Sequence, residues 1–486
     1  MRPILLVSIF TLSIITSGRS SLQKPETLQL QPCEVQGIKL KTKCGTFEVF
    51  ENRAKRTGRK ISLKIVVVPA TGTTRSEDPL FYIPGGPGSS ATEDSPGIVQ
   101  LFASILEHRD LVFVDQRGTG GSNPLNCKIY DANDPQSSLE YFFPLKDVKK
   151  CREELEPKAD LTLYTTSTAM DDLDDVRAAL GYEQINVYGG SYGTRASLVY
   201  LRQHAQHVRT LTLQGVLPTN DYIPSDYAQR NERALQGVIE ECLVDAACNK
   251  AFPDLKADSK VALNKLLAGP VEVEIKLPNT NPAKTAKVKL SRNLAAEAIR
   301  YMLYSPAGAA RVPVTLHKAA TDNFVPLAQA AYYFRNDIVS GGSNGMYLSV
   351  TCAEDLPWIK PDEVERKSQN TFLGDYRFTQ QREACALWPR AKISSDFGKP
   401  VQGSAPVLIF TGEWDPVTPP SNGDAAARSL PNSRHIIVPH GGHGFGGLDG
   451  LPCIDMLITH FVEQGTAKNL DTNCLGNVKR RGFILQ

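Results

Sequence analysis

The chain is short of the residues that build metal centres. It has 8 histidines in 486 residues, and none of its 10 cysteines stands in a Cys-x-x-Cys pair. Metal sites need such clustered ligands, so no metal is expected. An excess of one charge is also lacking: 54 Lys and Arg face 52 Asp and Glu, a formal +2. With the signs interleaved and no basic stripe, nucleic acid and anionic membranes are not expected partners. Beyond the N-terminal stretch no apolar run is long enough to cross a bilayer, and there are no internal repeats or low-complexity tracts.

The N-terminal stretch reads as an export signal, taken as residues 1–20. Arg2 supplies the positive end, Ile4 to Ile15 the apolar run, and Ser17 to Ser20 a zone of small residues suited to cleavage. The expected location is therefore secreted or periplasmic. Export changes how the cysteines are read. Cys33, Cys44, Cys127, Cys151, Cys242, Cys248, Cys352, Cys385, Cys453 and Cys474 are even in number, which favours disulfides over redox or metal chemistry. Taken as sequence neighbours they make five short-range pairs, although spacing alone fixes no connectivity.

The length suits one large α/β unit with a sizeable insertion, or two domains. Two β-rich runs between Gly37 and Val68 flank a polar turn at Arg56-Thr57-Gly58. Leu80-Phe81-Tyr82-Ile83 runs into Pro84-Gly85-Gly86-Pro87-Gly88, and Leu111-Val112-Phe113-Val114 runs into Asp115-Gln116-Arg117-Gly118. Continuous apolar runs ending in glycine turns suit strands buried on both faces of a parallel sheet. A helix follows, with Thr168 as its expected cap, Leu173, Val176 and Leu180 as its apolar stripe and Gly181 as its stop. From about residue 221 to 400 helical patterns dominate, with one β excursion around Val271 to Ile275. Strand signals return at Val407-Leu408-Ile409-Phe410 and His435-Ile436-Ile437-Val438. The expected layout is a sheet domain in two parts, 33–220 and 401–486 (the latter with a C-terminal region), with a mostly helical cap at 221–400.

The alternating strand Ile185-Asn186-Val187-Tyr188 leads into Gly189-Gly190-Ser191-Tyr192-Gly193, and Ala196, Val199 and Tyr200 follow at helical spacing. Gly-x-Ser-x-Gly between a strand and a helix is a sharp turn that pushes the serine hydroxyl out at the carboxyl edge of a sheet. A serine hydroxyl is a poor nucleophile until an imidazole accepts its proton, and that imidazole needs a carboxylate to fix its tautomer. The two late strands deliver both partners: Asp415 after Phe410 and His443 after Val438. Glu413 and His440 are weaker rivals. Ser191, Asp415 and His443 stand in the serine–acid–histidine order of α/β-hydrolases, a chemistry that implies no cofactor. The glycine turn after Ile83 is placed to offer backbone N–H groups to a developing oxyanion, with the N–H groups of Gly86 and Tyr192 as the expected donors. Asp115 and Arg117 are expected to brace loops beneath the site. His204 and His207 are expected to be solvated.

These segments resemble the proline iminopeptidase/tripeptidyl aminopeptidase family of α/β-hydrolase serine peptidases. The likeness rests on Gly85-Gly86-Pro87-Gly88, Asp115-Gln116-Arg117-Gly118-x-Gly120-x-Ser122, the elbow around Ser191, Asp415-Pro416-Val417-Thr418-Pro419 and Gly442-His443-Gly444, and extends from about Cys44 to Cys474. It is closer to the secreted tripeptidyl aminopeptidase branch; Pro84 stands where proline iminopeptidases usually carry histidine. The resemblance implies an α/β-hydrolase fold with a mostly helical cap inserted between the nucleophile and acid strands. It also implies an exopeptidase acting through an acyl-enzyme on peptide substrates with a free N-terminus. Val350-Thr351-Cys352-Ala353-Glu354-Asp355 resembles the family segment whose glutamate holds the substrate amine, which makes Glu354 the expected amine-binding residue, with Cys352, paired to Cys385, steadying it. The rival readings are a carboxylesterase or lipase on the same scaffold and a non-catalytic binding protein. The serine at the elbow argues against an epoxide hydrolase or dehalogenase, which put aspartate there.

Overall fold

The computed structural model describes residues 28–131, 134–139, 142–278, 284–340 and 342–486. The export signal expected at residues 1–20 lies outside the described residues. The chain opens with β1 (Gln31–Cys33), β2 (Thr42–Phe50), β3 (Lys60–Val68), β4 (Leu80–Ile83), β5 (Leu111–Val114), β6 (Ile185–Gly190) and β7 (Val208–Gln214). After a hairpin of β8 (Val271–Lys276) and β9 (Thr285–Leu290), the sheet is completed by β10 (Val407–Gly412) and β11 (Ser433–Val438). Among the described residues the large sheet has nine strands in the order β1-β2-β3-β5-β4-β6-β7-β10-β11. From β5 to β11 neighbouring strands are parallel, while β1, β2 and β3 form an antiparallel edge. β1 carries no hydrophobic run and was not foreseen; it exists because β2 offers it a partner.

The period-two alternation of the strands sorts their side chains between two cores. Val66 and Val68 of β3 join Phe102, Leu408 and Phe410 on the face covered by helices α1 (Ala91–Leu101) and, late in the chain, Pro452–Gln464. Ile65 and Val67 of the same strand point to the opposite face, where α2 (Thr166–Ala179) and α3 (Tyr192–Gln203) pack Leu173, Val176, Ala196 and Val199 against Val187 and Leu211. The central strands are thus buried on both sides, as their unbroken apolar runs require. α2 starts earlier than expected. Its cap is Thr165, whose hydroxyl accepts from the Thr168 N–H, so Thr168 lies inside the first turn. Gly181, with φ of +84°, ends that helix.

Between β7 and β10 the chain builds its own apolar cluster. Leu235 and Val238 of α4 (Tyr227–Val244) meet Val273 and Val288 of the β8–β9 hairpin and Leu294 and Ala298 of α5 (Arg292–Met302). Helices α6 (Asn344–Glu354) and α7 (Tyr376–Leu387) return to the sheet domain and pack into its core. All ten cysteines are paired as sequence neighbours: Cys33–Cys44, Cys127–Cys151, Cys242–Cys248, Cys352–Cys385 and Cys453–Cys474. The fourth bridge ties α6 to α7. Among the described residues no helix is long and apolar enough to cross a membrane.

Candidate active site

Ser191 ends β6 and begins α3 with φ of +54° and ψ of −124°, a backbone state that non-glycine residues rarely adopt. The state is held from both sides. Its N–H donates to the Gln214 carbonyl at 2.9 Å, and its carbonyl accepts from the N–H and hydroxyl of Thr194 at 2.9 and 2.6 Å. The flanking glycines are there for space. A Cβ on Gly193 would lie 2.1 Å from the Ile83 carbonyl oxygen, and one on Gly189 would lie 2.5 Å from the Gly193 oxygen. The Ser191 hydroxyl caps nothing in α3, so it is left for His443.

His443 Nε2 lies 2.8 Å from Ser191 Oγ, and His443 Nδ1 lies 2.9 Å from Asp415 Oδ2. With Nδ1–H donating to the carboxylate, the Nε2 lone pair faces the serine proton. Asp415 is wholly buried and accepts further hydrogen bonds from the Val417 N–H (2.7 Å), the Thr418 N–H (2.8 Å) and the Thr418 hydroxyl (2.8 Å). Burial alone would raise its carboxyl; the His443 charge and these N–H donors outweigh that and hold it below the usual aspartate range. Thr418 Oγ1 also sits 3.1 Å from His443 Nδ1, and the Tyr304 ring meets the imidazole edge-on at 5.2 Å. Neither residue was singled out from sequence, although a threonine three places after an aspartate is a common local hydrogen-bonding pattern.

The rivals fall away on geometry. His440 turns outward: its Nδ1 pairs with Glu241 at 2.6 Å, and its N–H takes the Glu413 carboxylate at 2.9 Å. That contact also removes Glu413 from the list of acids. His204 and His207 are not simply solvated; they are partly buried and pair with Asp171 and Asp174 at 3.0 and 2.7 Å. Among the described residues two groups bring histidines and carboxylates close together, Asp174 with His204 and His207, and Glu241 with Glu413 and His440. Arg177 already binds Asp174, and Arg480 binds Glu241. Asp115 and Arg117 do brace loops. Asp115 accepts from Ser90, Thr92 and the Gly121 N–H, and Arg117 forms a two-toothed pair with Asp172 at 2.7 and 3.0 Å.

The loop after β4 packs directly on the elbow, where a Cβ on Gly85 would come 3.1 Å from Ser191 Cβ. Gly86 lines the same cavity as Ser191 and His443. Tyr192 is the first residue of α3, where backbone N–H groups have no partner within the helix. Its phenol is buried and lies 2.8 Å from the Thr166 hydroxyl.

Glu354 does not stand where an amine-binding residue should. It has no exposed surface and is absent from the cavity lining. Its two carboxylate oxygens accept from the N–H and the hydroxyl of Thr166, each at 2.6 Å. Burial pushes its carboxyl up to about 7, with the Thr166 hydrogen bonds and the Arg195 charge pulling only part of the way back. The role expected of it is corrected accordingly: both oxygens are engaged, and Glu354 supports Tyr192 through Thr166 from behind the elbow. Its neighbour Asp355 forms a buried pair with Arg195 at 2.8 Å.

The cavity, about 390 Å³, lies between the sheet edge and the cap. Gly86, Ser191, Thr418 and His443 form its floor, and Tyr227, Tyr304 and Tyr347 are among the aromatic residues above. Arg300 and Arg377 line it too, and no aspartate or glutamate does so among the described residues.

A family model described as alpha/beta hydrolase fold matches residues 78–354, more than half the chain. The chain belongs to the α/β-hydrolase fold family. A second model, described as TAP-like protein, matches residues 370–474 of this α/β-hydrolase. The α/β-hydrolase is 26% identical to serine protease Hip1 of Mycobacterium tuberculosis, an alignment covering 95% of this chain and 94% of the relative. It is 27% identical to tripeptidyl aminopeptidase of Streptomyces lividans, covering 89% of this chain and 83% of that one. It is also 28% identical to carboxylesterase B of Mycobacterium tuberculosis, covering 89% and 86%.

Proposed function

We propose that the protein is a serine peptidase that releases material from the free N-terminus of peptides through an acyl-enzyme. The observation that carries the chemistry is the chain of contacts from Ser191 Oγ to His443 Nε2 at 2.8 Å and from His443 Nδ1 to Asp415 at 2.9 Å. Ser191 Oγ attacks the scissile carbonyl carbon as its proton passes to His443 Nε2. The imidazolium, held by Asp415, then gives that proton to the leaving amine nitrogen as the C–N bond breaks. Water hydrolyses the acyl-enzyme by the same route. The Gly86 and Tyr192 N–H groups receive the oxyanion, each such donor being worth about 3–4 kcal/mol of barrier.

Peptidase action is supported by the relatives named serine protease Hip1 and tripeptidyl aminopeptidase. Action at a chain end is supported by the cap, whose Tyr227, Arg300 and Tyr304 line a cavity of about 390 Å³ together with the serine. Five disulfides suit an oxidising compartment outside the cytoplasm. An ester hydrolase is the second reading. It is favoured by the relative named carboxylesterase B and by a cavity lining in which the described residues include no carboxylate to meet an ammonium.

Matched peptides with free and acetylated N-termini decide between these readings when their products are identified by mass. Release of N-terminal fragments from the free-amine peptides alone is the expected result. Equal cutting of acetylated twins removes the exopeptidase reading, and turnover of p-nitrophenyl esters without any peptide cleavage leaves the esterase.

A further inference from the structure

Arg377 sits at the start of α7, the helix that the Cys352–Cys385 bridge fastens to α6. It is 3% exposed, yet it lines the cavity that holds Ser191 and His443. Its guanidinium lies over the Phe142 ring at 3.5 Å, which fixes its plane. Nη2 donates to Tyr347 Oη at 3.2 Å; Nε and Nη1 have no hydrogen-bond acceptor among the described residues. Buried donors left without partners are costly and rare, and for a charged group the cost is larger.

Its neighbour Arg300 differs. Arg300 Nε donates to Glu297 at 2.8 Å and its Nη1 to Tyr304 Oη at 2.6 Å. Glu297 Oε1 also faces Arg377, but at 3.9 Å from Nε, beyond hydrogen-bond reach. One buried carboxylate therefore serves two buried guanidinium groups beside a cavity whose described lining has no acid of its own. A half-enclosed space walled by aromatic rings screens charge less than bulk water, and there an unbalanced cation of this kind favours an anion. Tyr347 extends the reach of Arg377: it also lines the cavity, and a phenol that accepts from a guanidinium can donate its own proton onward.

We propose that Arg377 and Tyr347 form a subsite that binds a carboxylate of the substrate, so that the enzyme favours acidic over neutral ligands. The inference rests on the peptidase reading only for the identity of that carboxylate, which is either an acidic side chain in the released segment or the α-carboxylate of a short peptide.

Calorimetric titration of the full chain with 4-phenylbutyrate and with 4-phenylbutyramide tests the subsite without any turnover. The phenyl ring suits the aromatic wall, and the two probes differ in charge. The expected result is at least about tenfold tighter binding of the acid, falling to within about twofold of the amide in Arg377→Met. Tyr347→Phe, which deletes one hydroxyl, should reduce the ratio severalfold and serves if Arg377→Met does not fold. Equal binding of the two probes by the unaltered protein, or a ratio unmoved by either substitution, overturns the proposal. Cleavage rates of paired peptides (Glu against Gln near the N-terminus, and C-terminal acid against C-terminal amide) then identify the carboxylate that is read. A protein that prefers the acid probe but cuts no peptide keeps this inference and loses the peptidase reading.

Discussion

Glu354 is bound twice by one residue: the N–H and the hydroxyl of Thr166 each reach its carboxylate at 2.6 Å. Thr166 is the first residue of α2, and its hydroxyl also meets the phenol of Tyr192, the residue after the nucleophile. A carboxylate at the end of α6 thus steadies the elbow through Thr166 and Tyr192.

That buried carboxyl gives stability a pH dependence. Its ordinary value is 4.5 and burial pushes it up to about 7, so between these pH values the folded state holds a proton that the unfolded chain has released. Stability from this group is therefore complete below pH 4.5 and is lost as pH rises toward 7, by about 3 kcal/mol in all. In Glu354→Gln the Thr166 hydroxyl can rotate to accept from the new amide, and the titration is gone. Urea unfolding at pH 4.5 and pH 8 should show the unaltered protein losing about 3 kcal/mol more than the variant across that window. Parallel losses would mean that the carboxyl titrates normally.

Ser191→Ala should abolish fluorophosphonate labelling and lower kcat by at least about 10⁴-fold with no large shift in Tm, because the hydroxyl caps nothing. Asp415→Asn leaves the shape but reverses the donor pattern at His443 Nδ1, and a fall of about 10⁴ in kcat is expected. Retained activity in either variant would contradict the proposed triad.

The two loop histidines separate cleanly. His443→Ala should be as inactive as Ser191→Ala. His440→Ala, whose imidazole is committed to Glu241, should keep kcat/KM within about tenfold. The comparison is made on one ester and one peptide substrate.

Gly193→Ala should be destabilised by at least about 1–3 kcal/mol, since the added methyl would meet the Ile83 carbonyl oxygen at 2.1 Å and backbone cannot step aside as a side chain can. Chemical denaturation measures it; an unchanged midpoint would show that β4 and the elbow are less tightly packed than they stand here.

Replacing Cys352 and Cys385 together by alanine should cost about 3–4 kcal/mol, as expected for opening a loop closed across 33 residues. Because the bridge fastens α7 to α6, peptide cleavage should weaken at lower denaturant than esterolysis of a small ester that needs no cap contact. Loss of both together would place the bridge in the global fold rather than in the cap.

Much was legible because it is local. The glycine-flanked serine, the apolar runs with their terminal turns, the β excursion at Val271 and the pairing of neighbouring cysteines all depend on residues close in the chain. Local spacing misled at Thr168, because Thr165 supplies the cap that its own extended backbone permits. It could not see β1, which needs the far side of β2 to exist.

Ser191, Asp415 and His443 were found together because each follows a recognisable strand, and the parallel sheet carries the ends of such strands to one edge. Sequence by itself determined the apolar central strands, the elbow and the order of the three side chains. Only the tertiary structure decided that Glu354 faces Thr166 instead of the cavity, that His440 turns to Glu241, and that Arg377 lines the serine's cavity short of acceptors among the described residues. Helical and loop side chains far apart in sequence carry no periodic signal of what they will meet. Their partners are fixed by how the cap settles on the sheet, and burial then sets whether each charge is spent or open.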